Sequence, residues 1–348
     1  TQQQMNTIIN NMIPNSQNNP FSEVICKKTI SYYLYWFVSY SLCPIIFPMR
    51  VILLTINLLL TKYLILLITK EVDMKKHIHP VRMQLIFGLT KICSKLTLLG
   101  LGYLNIQQKN LQFKPDMENM NVIISNHVSS IDPVVFLALD FKSFVAKDDV
   151  RSYPIFGLFT WATQGIFVSR ENKNQLKNAT QQIYDRINND VQNLGFPRRF
   201  PVLTIFPEST AVNQTALLPF KKGAFMGGKT VSMVSLQYCK KYFDHSDASV
   251  SLLGAQIKAL IGLWNSVTVT YMGDYVPNEE EKLDAELYAS HVREFYHQQL
   301  GWEKSECTLY DKQYYKGKCT EYEKCSDYFK TNFGSECTRK NNKKTDRK

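Results

Sequence analysis

Motifs for nucleic-acid binding are missing from this sequence, which has no zinc-finger spacing, no RNP-like segment and no long basic helix. The net charge is nevertheless +11, from 41 basic and 30 acidic residues. A basic surface attracts anions such as phospholipid headgroups, coenzyme A phosphates or nucleic acid. Because the nucleic-acid motifs are missing, we predict phosphate-bearing lipids and small molecules as partners, and no nucleic acid.

Arginine is missing from residues 1–29, which are rich in glutamine and asparagine and show little apolar periodicity. Their basic residues are Lys27 and Lys28. Transit peptides are rich in arginine, so this segment does not resemble one. We predict that residues 1–29 form an extended or poorly ordered polar arm.

Charge is nearly absent from the next segment. Residues 30–47 carry none, and residues 51–69 carry a single lysine. Each of the two stretches is close to the minimum length of a membrane span, and the tyrosines and tryptophan of the first suit a membrane interface. Pro44, Pro48 and Arg50 interrupt the apolar run.

Three interpretations of this apolar segment remain open: two short spans, a re-entrant hairpin that enters one leaflet, or a pair of buried core helices. Its thin polar faces favour membrane attachment over burial in a protein core. We therefore predict a membrane-associated helical hairpin over residues 30–75. Lysines flank the segment on both sides, so charge does not orient it.

Apolar runs beyond residue 111 are short and punctuated by charge, proline or glycine, so we predict no further span. From residue 76 to residue 306, strand-like runs alternate with helical periodicity, which is typical of an α/β domain. Strands are predicted at 122–124, 144–146, 166–168, 201–206, 231–238 and 266–271, and helices at 80–105, 133–139, 175–194 and 286–300.

A histidine and a carboxylate, His127 and Asp132, lie in the predicted turn between the first of these strands and the helix that Pro133 opens. α/β folds place their chemistry in such turns. A neutral imidazole can take a proton from a hydroxyl, and a carboxylate can fix the imidazole's tautomer. The alternative involves no chemistry: Asp132 is a good N-cap, and a histidine in a turn is usually a surface residue.

Polar side chains also follow two later predicted strands. Arg170 can offer a planar fork of donors to a phosphate, or it is a surface residue beside its strand. Glu208, Ser209 and Thr210 follow the other strand, and Lys221 comes shortly after them. Glu208 has a structural alternative too, as an N-cap or as one half of an ion pair.

Three motifs occur in order: Asn-His-x4-Asp at 126–132, Gly-Ile-Phe-Val-Ser-Arg at 165–170 and Phe-Pro-Glu-Ser-Thr at 206–210. A predicted strand around Val231 follows. This order resembles the PlsC-type glycerolipid acyltransferases, and the resemblance covers roughly residues 40–306. The segments that look like the lysophosphatidylcholine acyltransferase branch are 210–215, 220–225, 275–282, 287–290 and 292–293.

The resemblance implies a PlsC-type fold, a central mixed sheet flanked by helices, that transfers an acyl chain from acyl-CoA to the hydroxyl of a lysophospholipid. It implies His127 as the general base and Asp132 as the residue that orients it. Acyl-CoA is then a co-substrate, and the reaction needs no metal or other cofactor. The residues expected to bind substrate are Arg170, Glu208, Ser209, Thr210 and Lys221.

Departures from the family pattern support a rival hypothesis. Ser209 replaces a glycine of the family, and glycine is used where the backbone approaches a ligand or φ is positive. Thr230 and Met233 stand where the family's fourth motif usually carries prolines. The rival is a catalytically weak or inactive structural subunit of a mitochondrial membrane protein complex. The EF-hand loops of some members are also missing, which argues against calcium control.

The segment 307–338 lies outside the resemblance and carries four cysteines, separated by eleven, five and eleven residues. The symmetric spacing of Cys307, Cys319, Cys325 and Cys337 suggests a helical hairpin held by nested bridges, 307 to 337 and 319 to 325. Free thiols and a zinc site remain alternatives. A basic, mobile end is predicted for the last ten residues, 339–348.

The lack of a predicted span after residue 111 places His127 and the cysteine segment on the same side of the membrane. If the bridges form, that side is oxidising. Acyl-CoA reaches the mitochondrial intermembrane space more easily than a sealed lumen. We therefore predict the inner mitochondrial membrane, facing that space, and place the endoplasmic reticulum second.

Overall fold

The computed structural model describes residues 19–74, 78–117, 120–153, 155–169, 173–188, 200–248 and 252–334. Its helices are α1 Ile30–Ile68, α2 Pro80–Gly100, α3 Asp132–Ala138, α4 Phe156–Ala162, α5 Lys173–Asn188, α6 Leu252–Ile261, α7 Glu279–Leu283, α8 Ala285–Leu300 and α9 Leu309–Tyr315, followed by a helix at 327–334. Its strands are β1 Tyr103–Lys109, β2 Val122–Ser125, β3 Ser143–Lys147, β4 Ile166–Val168, β5 Leu203–Ile205, β6 Ala216–Leu217, β7 Val231–Tyr238, β8 Asn265–Tyr275 and β9 Glu303–Lys304.

Seven of these strands form one sheet in the order β1-β8-β7-β2-β5-β3-β4. The pairs are parallel except for β7 and β8, which run antiparallel. The central strand β2 is buried along its whole length, as its continuous apolar sequence predicts. The predicted α/β fold with a mixed sheet flanked by helices is therefore confirmed.

Apolar side chains form a core on each face of the sheet. On one face, α3 packs Val135 and Phe136 against β7 and β8. On the other face, α8 places Tyr288 and Tyr296 against β2 and β7, and both tyrosines are fully buried. The two cores hold the carboxyl end of β2 between them, which fixes the start of the turn that follows.

The apolar N-terminal segment differs from the predicted hairpin. Residues Ile30–Ile68 form one continuous helix of 39 residues, with Pro44 and Pro48 inside it. A proline removes one backbone hydrogen bond, and here the rest of the helical ladder continues on both sides of each. The helix is long and apolar enough to cross a membrane, with a mean hydropathy of 2.4 in its most apolar window.

A hairpin does form, but between α1 and α2. The amide of Asn57 donates hydrogen bonds to the carbonyl of Cys93, at 3.0 Å, and to the hydroxyl of Thr97, at 3.1 Å. Arg50, which was expected to separate two spans, donates to the carbonyls of Leu260 and Leu263 at 2.8 Å each. These carbonyls belong to the last turn of α6 and the residues after it, so Arg50 caps that helix.

The four-cysteine segment packs onto the domain without the predicted bridge between Cys319 and Cys325. Cys307 and Cys319 carry free thiols, and the Cys319 thiol donates to the side-chain carbonyl of Gln313 at 3.5 Å. Cys307 precedes α9, and Cys319 follows a turn at Gly317 with φ 67°, so the two cysteines do not lie on one helical arm. Cys337 lies outside the described residues.

Candidate active site

The turn between β2 and α3 brings the predicted pair together. The Nδ1 atom of His127 lies 2.8 Å from Oδ2 of Asp132. The Asp132 side chain is fully buried, whereas that of His127 is 23% exposed. A carboxylate only accepts hydrogen bonds, so Nδ1 of His127 carries the hydrogen and Nε2 keeps its lone pair. Nε2 is therefore the atom that can take a proton.

Asp132 was considered as an N-cap, and the structure shows a different role for its side chain. Ile131 is the N-cap of α3. The Oδ2 atom of Asp132 accepts hydrogen bonds from the backbone N–H groups of Val128, at 2.7 Å, and Ser129, at 3.0 Å. The hydroxyl of Tyr238 donates to Oδ1 at 2.6 Å. Four donors thus compensate the buried carboxylate and fix its plane.

Tyr238 and Phe206 support the pair, and sequence reasoning missed both roles. Burial, and then the charge of Asp132, raise the pKa of the Tyr238 hydroxyl well above its ordinary value, so this group stays a donor. The ring of Phe206 stacks on the imidazole of His127 with centroids 4.5 Å apart. Tyr238 is the last residue of β7 and Phe206 directly follows β5, and both strands neighbour β2. This position at the strand ends was the signal that the sequence offered.

The turn is also tied to the neighbouring strand by Asn126, the first residue of the motif. Its side chain accepts a hydrogen bond from the N–H of Leu236 at 2.8 Å and donates to the carbonyl of the same residue at 3.0 Å. An amide that pairs in this way imitates one more residue of the β2 ladder. It directs the chain out of the sheet toward His127.

Glu208 connects the turn to the loop after β5. Its Oε1 accepts the backbone N–H of His127 and its Oε2 that of Leu218, each at 3.0 Å. Burial raises the pKa of Glu208 to about 7. Both carboxylate oxygens are thus engaged with backbone, so the structure places Glu208 as a brace of the site.

Ser209 occupies the glycine position of the family motif, and its backbone has φ 61°. This left-handed conformation is the one for which glycine is favoured. Of the two reasons given above for a glycine at this position, the structure shows positive φ, and the predicted approach to a ligand stays a prediction. The next residue, Thr210, is buried, and its hydroxyl accepts a hydrogen bond from Lys312 at 2.9 Å. Sequence reasoning gave no signal for Lys312, because it lies 102 positions away.

Of the two remaining predicted residues, Lys221 is not brought into these contacts. Lys221 has an exposed side chain, and its backbone N–H donates to the carbonyl of Pro207 at 2.9 Å. Arg170 lies outside the described residues. Among the described residues, we find no group of three or more histidine, cysteine or acidic side chains placed to hold a metal ion.

Comparisons with known proteins bear on the chemistry of this turn. Residues 105–231 match the family model described as acyltransferase. The chain is 33% identical over 211 residues to a lysophospholipid acyltransferase of Arabidopsis thaliana, covering 60% of this chain and 52% of the relative. It is 32% identical over 192 residues to the lysophosphatidylcholine acyltransferase of Drosophila melanogaster, covering 55% and 35%.

Human lysophosphatidylcholine acyltransferase 1 is 30% identical over 219 residues, covering 61% of this chain and 38% of the human protein. The chain thus spans between a third and about half of the length of these relatives. Among solved structures, the 1-acyl-sn-glycerophosphate acyltransferase PlsC of Thermotoga maritima matches with a TM-score of 0.47 and 16% identity, over 78% of this chain and 95% of that chain.

Proposed function

We propose that the protein transfers an acyl chain from acyl-CoA to the free hydroxyl of a lysophospholipid, from the premise that residues 105–231 match the acyltransferase family model, as the resemblance predicted. The observation that carries the proposal is the His127–Asp132 pair at the carboxyl end of β2. The relatives matched over more than half of this chain are named for the same type of reaction, which supports it.

The proposed reaction begins when Nε2 of His127 removes the proton from the acceptor hydroxyl. The oxygen attacks the thioester carbonyl, and the resulting tetrahedral intermediate collapses with release of the coenzyme A sulfur. The imidazolium gives its proton to that thiolate, so the base is restored. Asp132 stabilises the imidazolium through the 2.8 Å bond to Nδ1.

The remaining residues have supporting roles in this proposal. Phe206 and Glu208 keep the imidazole and its backbone in place through the contacts described above. Ser209 and Thr210 form the loop beside the base, where the acceptor would lie. Arg170 and Lys221 remain predicted substrate-binding residues on the strength of the resemblance alone.

Membrane attachment through α1 is part of the proposal, because lysophospholipids reside at the membrane interface. Large apolar residues along α1 are exposed, including Ile45, Ile52, Leu59 and Leu66. The argument for the mitochondrial intermembrane space rested on disulfide bonds. Since Cys307 and Cys319 carry free thiols, we propose a reducing compartment, the cytosolic face of the endoplasmic reticulum.

The rival function is that of a structural subunit. The departures from the family pattern at Met233 and Ser209 lend it little support. Met233 lies within β7, paired with Ile124 and Gly273, and is buried away from the turn. Ser209 adopts the backbone conformation that its position requires. The serine costs on the order of 1–2 kcal/mol of conformational free energy in this left-handed conformation, which does not exclude activity.

An acyl-transfer assay tests the proposal. The purified chain is incubated in detergent with radiolabelled acyl-CoA and a panel of lysophospholipids that differ in headgroup. We expect a labelled diacyl product with at least one acceptor and stoichiometric release of free coenzyme A. No product with any acceptor, from protein shown to be folded by its thermal transition, would favour the structural subunit.

A further inference from the structure

The C-terminal segment, residues 307–334, packs against the loop beside His127. Its apolar residues Cys307, Tyr314 and Phe329 share a core with Val212 and Leu218, which flank that loop. This core extends beyond residues 105–231, the region that the family model matches. Contacts between the segment and the loop are therefore features of this chain that the family assignment does not describe.

Helix α9 is anchored by a buried carboxylate. Asp311 is fully buried and accepts the backbone N–H groups of Thr308, at 2.6 Å, and Ser326, at 2.7 Å. The hydroxyls of the same two residues bond to it as well. This network fixes the first turn of α9 and, with it, the direction of the next side chain, that of Lys312.

Lys312 points its ammonium group into the loop. Its Nζ donates to the hydroxyl of Thr210 at 2.9 Å and to the carbonyl of Ala211 at 2.7 Å. Both acceptors are neutral, and an ammonium has three N–H donors. Within the described part of the chain, no carboxylate lies at ion-pair distance from Lys312. When Lys312 is protonated, its third donor and its charge are thus left without an anionic partner among the described residues.

Two lysines and two carboxylates act on the ammonium group of Lys312 from nearby. Burial, and after it the nearby charge of Lys316, lower the pKa of Lys312 to about 7, while the carboxylates of Asp247 and Glu208 act in the opposite direction. The Nζ of Lys316 donates to the backbone carbonyl of Asp247. Lys318 adds to the positive potential. A cation in such a place costs free energy unless an anion approaches it.

The two lysines reach both sides of the catalytic turn. Val212, next to the Ala211 carbonyl that Lys312 contacts, donates its N–H to the carbonyl of His127 at 2.9 Å. Asp247, whose carbonyl Lys316 contacts, donates its own N–H to the carbonyl of Val128 at 3.1 Å. The positive group is therefore two contacts away from the residue that acts as base.

We propose that Lys312 binds a phosphate group of one of the two substrates while that substrate reacts at His127. The inference rests on the proposed function. A phosphate oxygen would accept the third N–H of Lys312 and supply the missing negative charge, which makes a charge-assisted hydrogen bond. The phosphate belongs either to the lysophospholipid or to the coenzyme A part of acyl-CoA.

Direct binding tests the proposal and separates the two sources. Glycerol 3-phosphate and coenzyme A are titrated calorimetrically into the full chain in detergent, for the parent, Lys312→Met, Lys312→Arg and Lys324→Met. Lys324 is the matched control, an exposed lysine of the same segment that pairs with Glu321. We expect Lys312→Met to weaken one of the two probes roughly ten- to a hundredfold. Lys312→Arg should keep most of the affinity, and Lys324→Met should match the parent.

Kinetics give the second readout. The KM of the substrate that carries the affected phosphate should rise by about the same factor in Lys312→Met, while the KM of the other substrate stays within twofold. Equal binding of both probes by the parent and Lys312→Met overturns the inference, as does a parent that binds neither probe. A parent that binds a probe but transfers no acyl group would sink the proposed function and leave the phosphate site standing.

Should Lys312→Met fail to fold, the parent protein decides the question. Because Lys312 has a pKa of about 7, it is largely neutral at pH 8, and a bound phosphate would restore its charge. Binding of the probe at pH 8 should therefore take up a proton, which calorimetry in buffers of different ionisation enthalpy detects. Binding without proton uptake would contradict the inference.

Discussion

Two histidine–carboxylate pairs of similar geometry lie at opposite ends of the strands of the sheet. His127 meets Asp132 at 2.8 Å, and His291 meets Glu281 at 2.6 Å. The first pair follows the carboxyl end of β2. The second follows β8, whose last residue, Tyr275, pairs with the first residue of β7. Since β7 is parallel to β2 and antiparallel to β8, the second pair lies at the end of the sheet where the parallel strands begin.

The two carboxylates of these similar pairs have different surroundings. Asp132 is held by backbone N–H groups of the same turn and presents a partly exposed imidazole beside a loop. Glu281 completes a capping box with Asn278 at the start of α7 and accepts the hydroxyl of Tyr275. The second pair fastens a helix to the sheet. Position at the strand ends, and not the bond length, distinguishes the candidate base.

Replacing each of the two histidines by alanine should give the largest difference between the pairs in acyl-transfer rate. His127→Ala removes the proposed base, so we expect a loss of about two to four decades in kcat. His291→Ala removes a similar contact outside the site and should leave kcat within about twofold. The measurement is the acyl-transfer rate at saturating substrates, with thermal unfolding as a check on folding. Equal rates for His127→Ala and the parent would exclude His127 as the base.

The two buried glutamates should give opposite pH dependence of stability. Burial raises the pKa of Glu208 from 4.5 to about 7. Its contribution to the free energy of unfolding is therefore full below pH 4.5 and is lost as pH rises through about 7. For Glu281, burial acts to raise the pKa, but hydrogen bonds led by that from Tyr275 lower it below 4.5. Its contribution is therefore present above pH 4.5 and is lost only as pH falls through the lowered pKa.

The free energy of unfolding of the parent should therefore fall between pH 5 and pH 8, with Glu208 contributing on the order of 3 kcal/mol. Glu208→Gln should flatten this slope, while Glu281→Gln should keep it. Denaturant titrations of the three proteins at pH 5, 6, 7 and 8 provide the comparison. Parallel curves for the parent and Glu208→Gln would show that Glu208 does not titrate in this range.

The smallest effect is expected at Ser209. Ser209→Gly relieves a left-handed backbone, so we expect a gain in stability of about 1 kcal/mol and an equal or lower acceptor KM. Asn110 also has positive φ, 57°, at the start of a turn far along the chain from the loop. Asn110→Gly is thus the control, and asparagine tolerates this conformation, so little should change. A higher KM in Ser209→Gly would mean that the serine itself contacts the acceptor.

Local sequence was sufficient to place the candidate base and its partner. His127 and Asp132 are five positions apart in one turn, so strand and helix patterns on either side brought them together. Tyr238 reaches Asp132 from 106 positions away, and its contact depends on the order of strands in the sheet. Strand order is a property of the assembled sheet, which apolar periodicity does not encode.

The misjudged parts share a physical cause. Proline and charge were expected to divide the apolar segment, yet α1 continues through Pro44 and Pro48. Arg50 finds its partners at the end of α6, more than 200 positions away. Spacing likewise suggested a helical hairpin for the cysteine segment, whereas the turn at Gly317 interrupts the arm between Cys307 and Cys319. In each case the regular sequence pattern did not determine the local structure.

The bonds of Arg50 have a mechanical consequence. Because its guanidinium bonds the carbonyls of Leu260 and Leu263, the apolar helix α1 is joined rigidly to the catalytic domain, without a swivel. If α1 is embedded in lipid, the joint sets a constant height of His127 above the acyl chains. If the proposed function holds as well, the free hydroxyl of the acceptor lipid must reach that height to be acylated.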